Sequence, residues 1–170
     1  MGRRILAARR ELGDRLIRTY CIGKGIAVAF NPVPVADLFA AAFIDVGMVV
    51  HLSKVYDLPL SRKEAGGIVR VIVAESAALM TTVWALHLVS SALKVGTLGL
   101  STILTAGAQG AIAYYSTYLV GQAADKYLAA GKSWGEGGPK KVVKEILDSL
   151  ERDTVLSDAR REIQARLGLR

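Results

Sequence analysis

Charged residues are absent from one long stretch of this 170-residue chain. Residues 95–124 contain no Asp, Glu, Lys or Arg over thirty positions, and residues 76–93 form a second uncharged run that only Lys94 separates from the first. Both ends of the chain are rich in arginine by contrast, with six in the first 18 positions. This layout is typical of a helical hairpin embedded in a membrane and flanked by basic residues.

The excess of basic over acidic residues narrows the class of partner. The formal net charge is +7, and the basic residues flank apolar segments instead of alternating with aromatic side chains. No zinc-finger, RNA-recognition or helix-turn-helix pattern is visible, so the charge pattern favours anionic lipid over nucleic acid as the partner. The single cysteine, Cys21, excludes an intrachain disulfide.

Residues 3–20 predict an amphipathic helix. Apolar positions recur every three to four residues, and arginines occupy much of the remaining surface. The charges recur throughout the segment, which excludes the apolar core of a signal peptide. A solvated helix that packs on its neighbours is an equally good interpretation of the pattern. We expect four arginines to face lipid headgroups: Arg3, Arg4, Arg9 and Arg10.

The rest of the chain also predicts helices. Asn31 and Pro32 are a natural helix start and predict a helix over about 33–56. Ser61 and Glu64 form a capping box before a helix that runs to about residue 93. We then expect a helix at about 101–130 that Gly131 closes, and two short helices at about 141–152 and 157–168.

These elements define an all-α fold class, a helical bundle built on a transmembrane or membrane-embedded helical hairpin. No segment shows the alternating pattern of a strand, because the apolar runs are long and rich in alanine. The predicted regions are a basic amphipathic N-terminal helix at 1–21, an apolar membrane-associated helical domain at 22–131, and a loop with C-terminal amphipathic helices at 132–170.

Loop charge predicts the topology. Both ends are rich in Lys and Arg, so we expect both termini on the cytoplasmic side and an even number of crossings, the best two at about 73–94 and 98–122. Asp45 lies in the middle of residues 35–56, and a carboxylate at a helix centre costs about 2.5–3.5 kcal/mol on insertion. We therefore expect 22–56 to form a re-entrant or interfacial hairpin that bends at 31–34. A soluble bundle of buried helices is the alternative.

Three charged residues inside apolar helices form a candidate buried cluster: Asp45, Arg70 and Glu75. Asp45 and Arg70 lie at similar distances from the turn near residue 58, so an antiparallel pair of helices would bring them together. An ion or proton pathway is the functional interpretation. A structural ion pair is the interpretation that we favour.

Small and aromatic residues of the uncharged stretch predict packing surfaces. Gly110 and Ala113 suit close contact between helices, either in a homo-oligomer or within one chain. Tyr114, Tyr115 and Tyr118 predict an aromatic belt at a membrane interface, with core packing as the alternative.

Three motifs resemble a known family. NPVPVADL (31–38) contains an Asn-Pro-x-Pro-x-x-Asp pattern, LSKVYDLPLSR (52–62) follows it, and GKSWGEGGPKKVVKEIL (131–147) lies near the C-terminus. Together they resemble the YcjF-type, GTPase-associated domain of unknown function (domain of unknown function 697). The last motif is similar to the tail of cyanobacterial members, and the likeness covers most of residues 22–168.

The resemblance implies a membrane-associated domain that commonly follows an Era-like small GTPase domain. Here Gly23-Lys24-Gly25 lacks the spaced first glycine and the Ser or Thr after lysine that a phosphate loop needs. We expect either a standalone member without the GTPase domain or a piece of a longer chain, and nucleotide hydrolysis is not carried over. The motif positions that the resemblance implies are Asn31, Pro32, Pro34 and Asp37.

The sequence thus predicts a non-catalytic module that anchors or scaffolds at a membrane, linked to a small GTPase domain in cis or trans or to a membrane complex. No nucleophilic triad, paired catalytic carboxylates or metal-ligand spacing is present, so we expect no enzyme activity and no cofactor. Two alternatives stay open. One is a soluble helical oligomerisation protein, and the other is an ion-conducting oligomer that uses Asp45 and Arg70.

Overall fold

The computed structural model describes residues 2–30, 36–92, 106–150 and 152–168. These residues form six helices and no strand, which confirms the all-α prediction. The helices are α1 (Gly2–Phe30), α2 (Ala36–Val55), α3 (Arg62–Ala92), α4 (Ala106–Ala129), α5 (Gly138–Ser149) and α6 (Arg152–Leu167). α1 and α4 form the most extensive pair; α2 contacts α1, α3 and α4, α5 contacts α3 and α4, and α6 contacts α4 and α1.

α1 is longer than the sequence predicted. The predicted helix ended near residue 20, with residues 22–56 assigned to a re-entrant hairpin, whereas α1 continues as one helix to Phe30. The continuation buries Lys24 and Gly25, so tertiary packing overrides the low helix propensity of glycine here. α1 therefore runs across the predicted region boundary at 21–22. The predicted bend at 31–34 lies outside the described residues.

α1 and α4 run antiparallel and approach closely through glycines, a contact that we call the glycine crossing. A Cβ atom on Gly110 would lie 2.7 Å from the carbonyl oxygen of Gly25, and one on Gly25 would lie 3.0 Å from the carbonyl oxygen of Gly110. Farther along the same pair, a Cβ on Gly121 would lie 2.7 Å from Cγ2 of Ile17. Only glycine lets the two backbones come this close.

α3 begins at the predicted capping box. The backbone N–H of Glu64 donates to Ser61 Oγ at 3.2 Å, and the backbone N–H of Ser61 donates to Glu64 Oε2 at 2.8 Å. The hydrogen bonds from Ser61 hold the pKa of the Glu64 carboxyl below its ordinary value. In the turn before α3, the backbone N–H of Leu60 donates to the buried Ser53 Oγ at 3.0 Å. The connection between α2 and α3 is therefore held by specific hydrogen bonds.

The C-terminal helices pack on the other four. Gly131 ends α4 as predicted, with a φ of 72° and an N–H that donates to Leu128 O at 2.9 Å. α5 and α6 begin at Gly138 and Arg152, several residues earlier than the predicted starts at 141 and 157. Among the side chains of these two helices that the structure describes, the buried ones are Val143, Ile146, Ala159 and Ile163.

One apolar core connects the helices. Fully burying a large aliphatic side chain stabilises a fold by about 1.5–3 kcal/mol. Tyr114 and Tyr115 belong to the buried set, at 9% and 6% exposed, so the prediction of an interfacial aromatic belt is wrong at these two positions and core packing explains them. The largest fully buried side chains include Ile17, Met48, Leu52, Ile72, Leu128 and Ile163.

The described helices do not support a membrane crossing. Over the residues that the structure describes, none of them is both long enough and apolar enough to cross a bilayer. The crossings predicted at about 73–94 and 98–122 each include residues between 93 and 105, which lie outside the described ranges.

Candidate functional site: buried polar clusters and exposed apolar surfaces

A buried ion pair lies between α1, α2 and α4. Lys24 Nζ donates to Asp45 Oδ2 at 2.7 Å, and the two side chains are 5% and 7% exposed. The second carboxylate oxygen, Asp45 Oδ1, accepts a hydrogen bond of 2.8 Å from Thr117 Oγ1. Because each of the three helices contributes one residue, this Lys24–Asp45–Thr117 cluster fixes the position of the helices relative to one another.

Helical periodicity places the members of the cluster on the inward faces of their helices. Lys24 lies about one turn after Cys21 and two turns after Ile17, and both of these residues are fully buried. Asp45 lies three residues before Met48, which is also fully buried. The ion pair therefore occupies the line along which three apolar helix faces meet.

Complete pairing makes this burial tolerable. An unpaired charge at such depth would destabilise the fold by several kcal/mol, whereas a paired and hydrogen-bonded one is accommodated. Lys24 and Thr117 each occupy one oxygen of Asp45. Among the described residues, no buried side-chain nitrogen or oxygen lacks a hydrogen-bond partner. We therefore expect the cluster to be intolerant of losing one member.

The charged and polar groups of the cluster bond to one another. Asp45 neutralises the Lys24 ammonium, and burial raises the pKa of the nearby Cys21 thiol, which keeps it in its less nucleophilic form. Within the described ranges, no three His, Cys, Asp or Glu side chains converge in the way that metal ligands do. The arrangement supports a structural role in holding three helices together.

A second buried carboxyl lies nearer the arginine-rich start of α1. Tyr56 Oη donates to Asp125 Oδ1 at 2.6 Å. Gly13 leaves room for this carboxyl, because a Cβ there would lie 2.7 Å from the same oxygen. Arg9 Nη1 donates to the backbone oxygen of Tyr56 at 3.0 Å, and Arg9 Nη2 pairs with the Asp57 carboxylate. Tyr56 therefore connects the start of α1 with the end of α4.

Because of the buried Asp125 carboxyl, we expect the stability of the protein to depend on pH. Burial raises its pKa above the ordinary value of an aspartate, so the folded protein binds this proton more tightly than the unfolded chain does. The favourable contribution of the protonated Asp125 carboxyl to the free energy of unfolding is complete below the unfolded-state pKa of about 3.9. It is lost as the pH rises through the folded-state pKa. We expect Asp125→Asn, which does not titrate, to gain stability relative to the wild type as the pH rises from about 4 to about 7.

Urea unfolding of both proteins across this pH range measures the difference. Glu136→Gln is the matched control, because Glu136 is exposed and an exposed substitution usually changes the unfolding free energy little. The expected titration would be contradicted if the difference in unfolding free energy between Asp125→Asn and the wild type stayed constant from acidic to neutral pH.

The structure separates the residues that the sequence grouped around Asp45. Arg70 is exposed on α3 and Glu75 is half-buried, while Asp45 is bonded to Lys24 and Thr117. Lys24 reaches Asp45 because α1 continues past residue 20, where the sequence prediction ended it. An ion pair between α1 and α2 thus replaces the predicted pair between α2 and α3.

The other predicted residues fall into three groups. Arg3, Arg4 and Arg10 are exposed, whereas Arg9 is half-buried by its contacts with the turn after α2. Asp37 lies near the start of α2. The remaining motif positions, Asn31, Pro32 and Pro34, lie outside the described residues.

Sequence reasoning missed four members of the two clusters: Lys24, Thr117, Tyr56 and Asp125. One signal was present, since Lys24 is the single charge within the apolar segment 22–30. A lone charge on a packed apolar helix requires an opposite charge nearby, and Asp45 was the mid-helix carboxylate in need of a partner. Thr117 and Tyr56 gave no signal, because a neutral hydroxyl is unremarkable in sequence.

Large apolar side chains are exposed in two places. Phe43 on α2 is 72% exposed, and Val73 on α3 is 50% exposed. On the first turns of α1, Ile5 and Leu12 are 52% and 56% exposed. A cleft of about 300 Å³ opens between α1 and α2, lined by Thr19, Tyr20, Gly23, Lys24 and Ile44.

Comparison with known proteins identifies the family. No curated protein and no solved structure matches the chain. A family model matches residues 1–152, a region that contains α1 to α5, both buried polar clusters and the glycine crossing. The match covers most of the chain and agrees with the resemblance of the three sequence motifs. The chain therefore belongs to the family described as Domain of unknown function (DUF697).

Proposed function

We propose that this protein is a non-catalytic, membrane-associated helical module that anchors or scaffolds a partner at the cytoplasmic side of a membrane. The observation that carries the proposal is the separation of charge along the bundle. The six arginines of residues 1–18 lie at the start of α1, whereas residues 25–30, 38–44, 76–92 and 106–124 contain no charged residue. α1 and α4 are antiparallel, so the uncharged end of α1 and the uncharged start of α4 lie at the same end of the bundle.

Exposed apolar side chains support the same proposal. Phe43 lies near the end of the uncharged part of α2, Val73 lies three residues before the uncharged part of α3, and both are at least half exposed to solvent. A large exposed aromatic side chain gains free energy when lipid or protein covers it, at about 25 cal/mol per Å² of apolar surface removed from water. Arg70 is exposed on α3 three residues before Val73, and a basic residue beside an apolar surface favours an anionic bilayer as the cover.

We expect the full chain to bind vesicles that contain phosphatidylserine and to bind vesicles of phosphatidylcholine much more weakly. The anionic headgroups attract the arginines of α1, and salt screens that attraction, so binding should fall as the salt concentration rises. Co-sedimentation of the full chain with each vesicle type, at low and high salt, measures both effects. Failure to sediment with either vesicle type at low salt would overturn the proposal.

We further propose a small GTPase domain, in cis or in trans, as the partner of this module. The motifs at 31–38, 52–62 and 131–147 support it, because their family resemblance implies such a domain nearby. The reading frames that adjoin the coding sequence test this part directly. A fused or adjacent frame that encodes a small GTPase would support the partner, and its consistent absence would contradict it.

Self-association in solution is the second candidate function. The half-exposed side chain of Val73 on α3 favours it, because a second copy could cover it as well as lipid could. Light scattering on the full chain without detergent separates the two candidates. A stable dimer that does not bind vesicles would favour the protein interface, and a monomer that binds vesicles would favour the membrane.

An ion-conducting oligomer loses its structural support. Both carboxylate oxygens of Asp45 are bonded within the core, to Lys24 and Thr117. Arg70, the second residue of that hypothesis, is exposed on α3. These contacts give no support to a polar path that would join the two residues.

A further inference from the structure

The first three turns of α1 carry a narrow apolar strip that the rest of the bundle leaves uncovered. Residues 2–8 are all exposed, and Ile5 and Leu12 are more than half exposed. At about 100° per residue, Ile5, Ala8 and Leu12 lie within about 60° of one another around the helix axis. These three residues form what we call the arm strip. It lies on a different side of α1 from Ile17 and Lys24, which point into the core.

The arginines are not distributed evenly around the arm strip. By the same helical geometry, Arg4 and Arg15 lie about 50–75° to one side of its centre, and Arg9 lies about 65° to the other side. Arg3 and Arg10 lie at about 170°, on the opposite face of the helix. Arginines that flank an apolar strip can place their guanidinium groups at lipid phosphates while the strip enters the headgroup region.

Arg9 differs from the other flanking arginines because residues far along the chain hold its guanidinium, whereas Arg15 pairs with Glu11 on the exposed surface of α1 itself. Arg9 donates to the backbone oxygen of Tyr56 and pairs with Asp57, both in the turn after α2. This contact ties the start of α1 to the turn and fixes the rotation of the helix about its own axis. Arg9 therefore acts as a positioning residue that keeps the arm strip facing outward.

The cleft between α1 and α2 lies on the same side of α1 as the arm strip. Thr19 and Gly23, which line the cleft, lie within about 30° of the centre of the arm strip. Ile44 lines its other wall, next to the exposed Phe43. Apolar surface thus continues from the arm strip along the α1–α2 side of the bundle, which fits a planar bilayer better than it fits a compact soluble anion.

We infer that the arm strip lies on an anionic bilayer, with Arg4 and Arg15 at the lipid phosphates and with Arg9 held by Asp57 as the residue that orients it. This inference rests on the proposed membrane function and specifies the contacting face. It also changes the set of lipid-facing arginines, because Arg3 and Arg10 lie on the opposite face of the helix.

The test compares two charge-matched double variants of the full chain in binding to phosphatidylserine-containing vesicles. Arg4→Gln with Arg15→Gln removes the flanking pair, and Arg3→Gln with Arg10→Gln removes the same charge from the opposite face. Near a membrane surface each arginine contributes about 1 kcal/mol, so we expect the first variant to bind about 30-fold more weakly. The second should bind less than about threefold more weakly, through long-range attraction alone.

A third variant tests the apolar part of the contact. Leu12→Ser keeps every charge and removes one exposed apolar side chain, so we expect vesicle binding to fall about tenfold. Circular dichroism and thermal melting verify that each variant retains the fold, which we expect because all five positions are exposed.

The outcomes separate this inference from the proposed function. Vesicle binding by the wild type with equal losses in the two double variants would overturn the inference and leave the membrane function standing. A large loss with Arg4 and Arg15 but none with Leu12→Ser would also overturn it, since the contact would then be with charge alone. No vesicle binding by the wild type would overturn both.

Discussion

Replacing Asp45 with alanine is expected to lower the free energy of unfolding by about 3–5 kcal/mol. The substitution leaves the Lys24 ammonium buried without its counter-charge and removes the acceptor of Thr117 Oγ1. Burying an unpaired ammonium is costly because the low-dielectric core cannot replace its lost hydration. Urea unfolding at neutral pH, followed by circular dichroism, measures the change.

The double variant Lys24→Met with Asp45→Leu provides the matched control. It removes both charges together and keeps side chains of similar volume, so most of the lost stability should return. An exposed ion pair gives the second comparison: Asp148→Ala, which breaks the Lys144–Asp148 pair, should cost less than about 1 kcal/mol. A loss with Asp45→Ala as small as this one would contradict the burial of the ion pair.

Gly110→Ala is expected to lower the free energy of unfolding by about 1–3 kcal/mol, although alanine is the better helix former. The added Cβ would lie 2.7 Å from the carbonyl oxygen of Gly25, and a backbone atom cannot rotate away as a side chain can. α1 and α4 would have to move apart, which would loosen the packing of Ile163 against the same glycines.

The same substitution at Gly67 is the control for Gly110→Ala. Gly67 is an exposed helical residue of α3, and an added Cβ meets no atom within 4 Å. Gly67→Ala should therefore raise the free energy of unfolding by up to about 1 kcal/mol through helix propensity alone. The close approach of α1 and α4 would be contradicted if Gly110→Ala and Gly67→Ala changed the free energy of unfolding equally, in either direction.

Local signals predicted the helices well. Ser61 and Glu64 are three residues apart with the chemistry of a capping box, and both hydrogen bonds are present at the start of α3. Gly131 likewise closes α4 with a positive φ. These features depend on a few adjacent residues, so a sequence is sufficient to identify them.

Contacts between distant residues were beyond the reach of sequence patterns. Asp45 was recognised as a candidate buried carboxylate, but its partner was placed on α3 because an antiparallel pair of helices would bring Arg70 beside it. Gly23 and Gly25 disfavour a helix by local propensity, whereas α1 continues through them and packs Gly25 against Gly110. Tertiary packing thus decided both the length of α1 and the identity of the ion pair.

The uncharged stretch shows a similar limit. A run of residues without charge predicts an apolar environment, but it does not distinguish lipid from protein as the cover. For Tyr114, Tyr115 and Ala123 the cover is protein, because all three are buried within the bundle. The Phe43 side chain is not covered by protein, since most of it is exposed.

Fluorescence quenching by bilayer lipid tests the central claim most directly. A single fluorophore is attached to a cysteine at position 12, 43 or 3 of the full chain, with the buried Cys21 replaced by alanine. Each protein is mixed with phosphatidylserine-containing vesicles whose acyl chains carry bromine. Membrane association through the α1–α2 side predicts quenching at positions 12 and 43 and none at position 3. Unquenched fluorescence at all three positions would contradict it.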